Sequence, residues 1–200
     1  VSVTAASLTA STSNVVKTYN GTTTAAGTAV VTAGTLFGTD SLSGGTFAFT
    51  TKDVGLGNKT VTVAGIAVSD GNSGSNYTLT QANNTTSTIN PAALTLAGTR
   101  VFDGTTIYAG SNLTATGVNG ETFAVGGAGD TSNLGTKNVQ TGSTLSSVTG
   151  LTVGAGNTGA ALATNYTSLA TAGSSVSVTA ASLTASTSNV VKTYNGTTTA

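Results

Sequence analysis

The sequence predicts an all-β protein made of tandem antiparallel β-sandwich-like modules, set end to end in an elongated rod. Three observations predict it. Apolar residues alternate with Thr at period two in many short runs, Gly, Asn, Asp and Ser cluster between those runs, and motifs recur in the same order in two halves of the chain. No segment sustains a 3.6-residue period, and Gly interrupts each candidate helix. The rival architecture is a β-solenoid, but its rungs would recur every ~20–30 residues and no such period is visible.

The strand signals follow in order. Thr46-Phe47-Ala48-Phe49-Thr50, Val61-Thr62-Val63 and Tyr77-Thr78-Leu79-Thr80 each put apolar groups on one face and Thr on the other. Leu94-Thr95-Leu96, Leu151-Thr152-Val153 and Val176-Ser177-Val178-Thr179 do the same in the second half. β-Branched Thr and Val are comfortable in extended backbone, so one face enters a core while Thr meets water.

Val1–Ala25 and Val176–Ala200 are identical, which sets a register of 176 − 1 = 175 residues. The chain thus spans one period of a tandem array and the start of the next. The period itself divides. Tyr19-Asn20-Gly21-Thr22-Thr23 is echoed by Phe102-Asp103-Gly104-Thr105-Thr106, and Asn76-Tyr77-Thr78 by Asn165-Tyr166-Thr167. Asp53 to Lys59 is echoed by Ser132 to Lys137, and Thr88 to Thr95 by Ser177 to Thr184. The expected organisation is a first module over 1–90, a second over 91–179, and the start of a third over 180–200. Joints near Pro91 and Ala180 carry no Ser/Gly-rich or charged linker, which favours a semi-rigid rod over tethered beads.

Composition excludes several classes of chemistry. The chain has no Cys, His, Met or Trp, so disulfides, thiolate chemistry and His-ligated metals are out. Without Met, it is expected to be internal to a longer protein. Six basic and six acidic residues, 6% of the total, supply no basic stripe for phosphates, so no nucleic-acid partner is expected. No apolar run reaches the ~18–20 residues of a membrane helix. Disorder is disfavoured because disordered chains are charged and poor in β-branched residues. No nucleophile–base–orienter set can be assembled, so no enzyme activity and no cofactor are expected.

The remaining motifs read mostly as structure. Asn20-Gly21, Asp103-Gly104 and Asn195-Gly196 are expected to be two-residue hairpin turns. Asp103 aligns with Asn20, an amide that cannot ionise, so a catalytic or metal-binding role for that carboxylate is the weaker reading. Tyr19 aligns with Phe102, so that position wants a ring for packing. Tyr77 and Tyr166 both keep the hydroxyl, suited to a hydrogen bond with loop backbone or to contact with a ligand such as a glycan. Asp40 corresponds to Glu121, and Lys59 to Lys137; salt bridges or solvated loops are the plain readings. A Lys–Asn isopeptide crosslink would need a carboxylate beside both, which spacing does not fix. Asp70 to Asn76 has the composition of a calcium loop but one carboxylate and no closing Glu. Its counterpart, Gly154 to Asn165, has no acid.

Taken together, these motifs resemble the YDG/MBG-type repeats of bacterial filamentous-haemagglutinin-like adhesins and extracellular matrix exoproteins. The resemblance rests on Lys17-Thr18-Tyr19-Asn20-Gly21-Thr22-Thr23 and Arg100-Val101-Phe102-Asp103-Gly104-Thr105-Thr106. Gly57 to Val61, Asn76 to Leu79 and Thr88 to Ala92 add to it. The first module departs in having Asn for Asp at the turn, the second in having Phe for Tyr and Thr179-Ala180 for Asn-Pro. The resemblance implies an extracellular or cell-surface repeat in a bacterial stalk, filament or biofilm matrix, with no catalytic residues to carry over. The expected partners are neighbouring copies of the same repeat, with lateral self-association through edge strands helped by near-zero net charge. The alternative is an adhesin module that binds glycan or a surface protein through its loops, with Tyr77 and Tyr166 as contacts.

Overall fold

Leu8 and Tyr19 lie 19 − 8 = 11 residues apart, but Leu94 and Phe102 only 102 − 94 = 8. The difference of 11 − 8 = 3 residues decides how the opening strands of the two halves differ. In a computed structural model, which describes residues 1–157 and 161–199, the longer spacing breaks the opening strand of the first half into β1 (Ala6–Thr12) and β2 (Val16–Thr18). The shorter spacing leaves one continuous strand in the second half, β8 (Thr95–Val101).

The first half continues with β3 (Ala29–Ala33), β4 (Ser41–Phe49), β5 (Gly55–Ser69), β6 (Tyr77–Gln81) and β7 (Asn84–Asn90). The second contains β9 (Leu113–Thr116), β10 (Thr122–Gly126), β11 (Gln140–Ser143), β12 (Thr152–Gly156) and β13 (Ser175–Thr179). The first half forms two sheets, ordered β3-β1-β6 and β2-β7-β5-β4, and the second a single sheet ordered β11-β13-β8-β9-β10-β12. The protein is all-β, and each strand signal read from the sequence falls in or against one of these strands.

The sheets are mixed rather than purely antiparallel. β1 runs parallel to β6, β2 to β7 and β8 to β13. In each half the last strand returns alongside the opening one after the chain has crossed the module, which is the long connection parallel pairing requires. Alternation carries no information about strand direction, so the sequence pattern could not distinguish the two.

The opening and closing strands of the two halves nevertheless agree in register. Lys17 pairs Ile89 where Arg100 pairs Val178. The Tyr19 N–H donates to the Asn90 carbonyl at 2.8 Å, and the Phe102 N–H to that of Thr179 at 2.8 Å. Ala6 donates to Asn76 at 2.9 Å, and Ala92 to Asn165 at 3.0 Å. Asn90 therefore closes the first half, and two residues later Ala92 already bridges Tyr166 in the second. The main core runs through the joint without a break, from Val15, Tyr19 and Ile89 through Leu94 and Leu96 to Phe123 and Tyr166. A smaller cluster of Leu8, Val68 and Tyr77 lies in the first half. Burial of each large apolar side chain contributes about 1.5–3 kcal/mol.

Residues 180–199 hold no strand, contrary to the expectation that they begin a third module with its first strand in place and pack on what precedes them. Their sequence is that of residues 5–24, yet Leu183 is 95% exposed against 2% for Leu8, and Tyr194 92% against 1% for Tyr19. The rest of a module supplies the core that these side chains need. Leu8→Ala should therefore cost about 2–5 kcal/mol in denaturant unfolding, while Leu183→Ala should stay within about 0.5 kcal/mol of the parent. Equal costs would contradict this account.

Candidate functional site

The candidate functional site is the place where the two halves meet. β2 ends at Thr18, and the next residue turns its ring across the joint. The Tyr19 hydroxyl donates to Glu121 Oε1 at 2.8 Å, and the Tyr166 hydroxyl donates to Glu121 Oε2 at 2.6 Å. Tyr166 also accepts the Val118 N–H at 3.0 Å, so its hydroxyl both donates and accepts. The tyrosine rings meet edge to face with centroids 5.5 Å apart, and Phe123 meets Tyr166 the same way at 5.2 Å. Lys52 Nζ stands 3.6 Å from Glu121 Oε1 at the rim.

Local structure aims Glu121 at this point. A 3-10 turn at Val118–Gly120 joins β9 to β10, with the Glu121 N–H donating to the Val118 carbonyl at 3.0 Å. Gly117 lies against the Tyr166 ring so closely that a Cβ there would collide with it. Three further bonds cross the joint. Asn165 Oδ1 accepts the Val54 N–H at 2.9 Å, its Nδ2 donates to Asp53 Oδ1 at 2.9 Å, and Asn119 Nδ2 donates to the Asn20 carbonyl at 2.9 Å.

Burial, then the Glu121 carboxylate, push the Tyr19 and Tyr166 hydroxyls above their ordinary pKa. For Lys52, burial alone would lower the ammonium, but the Tyr19 hydroxyl and Glu121 outweigh it and raise it. A buried carboxylate is costly unless it is paired and hydrogen-bonded. Here two hydroxyl donors and one ammonium meet that requirement. Of these contacts, the Tyr19 bond and the Lys52 pair with Glu121 cross the joint, while the Tyr166 bonds hold Glu121 in place within the second half. The phenols are pushed away from the phenolate form a nucleophile or base would need. No group of three or more Asp or Glu capable of holding a metal occurs among the described residues.

Tyr77 and Tyr166, expected as ligand contacts, occupy equivalent positions with different surroundings. The Tyr77 hydroxyl donates to Asp40 Oδ2 at 2.6 Å and accepts the Phe37 N–H at 2.9 Å. This reproduces the Tyr166–Glu121–Val118 arrangement and gives Asp40 and Glu121 the same role. Tyr166 is enclosed in the joint, which corrects its expected part as a ligand contact. Tyr77 borders a surface concavity of about 520 Å³ lined also by Thr4, Phe37, Asp40 and Asn76.

The turns differ from the two-residue hairpins expected. Gly21, Gly104 and Gly196 take left-handed φ of +73°, +80° and +78°, but Asn20, Asp103 and Asn195 do not. β2 and β8 pair in parallel with distant strands, not across the turn. Each is an Asx turn instead, in which the side-chain oxygen accepts from the N–H and hydroxyl of the Thr two residues on. A cation three residues before each Asx completes the turn. Lys17 donates to Asn20 Oδ1 at 3.0 Å and to the Thr22 and Thr24 carbonyls at 2.6 and 3.0 Å. Arg100 donates to Asp103 Oδ1 at 2.5 Å and the Thr105 carbonyl at 2.6 Å, and Lys192 to the Thr197 carbonyl at 2.9 Å. The repeated cation–x–x–Asx spacing was the signal for this latch, which the reading of the motifs as hairpins passed over.

The Asp70 loop binds its own backbone. Asp70 accepts the N–H groups of Asn72, Gly74 and Asn76 at 2.8, 2.7 and 3.0 Å. Burial by itself raises this carboxyl's pKa, but those donors hold it below its ordinary value. Residues 158–160 of the corresponding loop, Gly154 to Asn165, lie outside the described residues. Lys59, in turn, donates to Thr51 Oγ1 at 2.5 Å.

Residues 4–88 match the family model of the YDG domain. That stretch contains the latched turn at Asn20 and the Tyr77–Asp40 pair. No curated protein and no solved structure matches the chain.

Tyr19→Phe removes one donor from a buried carboxylate and should cost about 1.5–3 kcal/mol in denaturant unfolding. Loss below about 0.5 kcal/mol would mean that the bond is not made in solution. The folded pKa of both tyrosines is raised, so their contribution is fully present below the unfolded value of about 10 and is lost as pH rises through the folded values. Unfolding free energy should accordingly hold from neutral pH to about 10 and then fall, less steeply in the Tyr19→Phe, Tyr166→Phe double variant. An equal fall in both proteins would sink the assignment.

Proposed function

We propose that the chain is a structural repeat unit of a bacterial extracellular stalk, filament or biofilm-matrix adhesin, whose task is to hold distance without catalysis. The observation that carries this reading is the buried Tyr19–Glu121–Tyr166 node, which fixes one module against the next. The two-residue step from Asn90 to Ala92 and the unbroken core support it, because a joint without slack transmits orientation along an array. The 175-residue register supports an array, and the resemblance to YDG-type repeats supports a surface location. Neighbouring copies are the natural partners. Edge strands such as β11 and near-zero net charge favour lateral bundling.

A second reading, a ligand-binding adhesin module, draws on the concavity beside Tyr77. Binding on a glycan array or to a surface protein, abolished by Tyr77→Ala with the fold intact, would favour it.

Solution scattering on chains carrying one, two and four 175-residue periods tests the stalk directly. The maximum dimension should grow in proportion to copy number. Growth with about the square root of copy number, as for flexibly linked beads, would refute the reading.

A further inference from the structure

We propose that the concavity at Tyr77 and Asp40 is the docking site for the second module of the preceding copy of this same repeat, entered by its Phe102 turn. The proposal rests on reading the chain as one period of an array, but not on where the array resides.

The joint inside the chain provides the template. There, Tyr19 leaves its own module and lands on a tyrosine–carboxylate pair whose tyrosine also accepts a loop N–H. Phe102 leaves the second module from the same register, its N–H bonded to Thr179 as that of Tyr19 is to Asn90. The matching acceptor is Tyr77 with Asp40 and the Phe37 N–H. The acceptor loops share a closing bond, from the Asp40 N–H to the Phe37 carbonyl at 3.1 Å and from the Glu121 N–H to that of Val118 at 3.0 Å. Gly38 has a φ of +59° where Asn119 has +53°, although the next residue is left-handed only at Gly120 and not at Thr39. The donor and acceptor of a second junction are thus both present in one period, the donor in its second module and the acceptor in its first.

Independent support comes from the stretch Val-Ser-Val-Thr, which occurs twice. At 176–179 it lies within β13, with Val176 and Val178 buried between β8 and β11. At 1–4 it forms no strand, and Val1 and Val3 are exposed. A preceding module would take residues 1–4 as its closing strand. Its Phe102 N–H would then bond the Thr4 carbonyl, as it bonds that of Thr179 here. Val3 and Thr4 line the concavity, so this strand delivers the Phe102 turn to the Tyr77 pair.

The two junctions would differ in chemistry. Tyr19 brings a hydroxyl to Glu121 and packs near the aliphatic Val118. Phe102 brings none, and the loop residue it meets is Phe37, 62% exposed and stacked on Tyr77 at 6.4 Å. A hydrogen-bonded joint would alternate along the fibre with an aromatic one.

Disulfide trapping tests this in a chain of two full periods, since the native sequence has no cysteine. A Cβ built at Gly21 lies 3.9 Å from that of Asn119, within disulfide range. Gly21→Cys with Asn119→Cys in one period is therefore the positive control. Gly104→Cys in the first period with Gly38→Cys in the second should crosslink as completely under mild oxidation. A control that closes while this pair stays open overturns the proposal. A second measurement needs no cysteine: Phe37→Ala in the second period should lower the unfolding midpoint of the two-period chain by more than the same substitution lowers that of the 200-residue chain, where only its stacking on Tyr77 is lost. Equal shifts in both would overturn it as well. Either failure in a chain that still scatters as a rod would reject the docking site while leaving the stalk standing.

Discussion

A single buried carboxylate sets the relation between the two halves of this protein. Glu121 is the point where a tyrosine from each module ends, and its burial would be costly without both hydroxyls and Lys52. That requirement makes the joint specific. An apolar contact alone would tolerate sliding or rotation, whereas the Tyr19 bond across the joint to a carboxylate that Tyr166 already holds from its own side fixes one geometry. Asn165 and Asn119 reinforce it from either side of the step at Asn90–Ala92.

The duplicated ends separate what is local in this fold from what is not. The Asx turn and its cation form at Lys192–Thr199, where no strand surrounds them, as they do at Lys17–Thr24. Eight residues suffice for that element, because all of its partners lie within seven positions. The strand before it is different. Leu8 and Tyr19 are buried by β5, β6 and the second module, and their identical counterparts Leu183 and Tyr194 stay in water. Turns are written locally; strands wait for partners far along the chain.

The same distinction explains how much could be read in advance. Period-two runs such as Tyr77–Thr80 and Val176–Thr179 locate strands because alternation is a property of the strand itself. Parallel pairing of β1 with β6 and of β8 with β13 was hidden, since alternation is blind to direction. The Tyr19–Glu121 bond spans 102 positions, and no spacing rule sets register between modules. The half of the node inside the second module nevertheless left traces: Asp40 with Glu121, and Tyr77 with Tyr166, recur as two matched pairs. In a chain with only six acids, a carboxylate kept beside a kept hydroxyl indicated a shared bond. Reading Tyr77 and Tyr166 separately, as ligand contacts, missed that they belong to their carboxylates.

If the node couples the modules, they open as one body. Hydrogen exchange followed by mass spectrometry through a denaturant series measures this, with β5 reporting the first module and β10 the second. Coupled modules lose protection in one transition, and Glu121→Ala splits it into two. Two separate transitions with Glu121 intact would contradict the account.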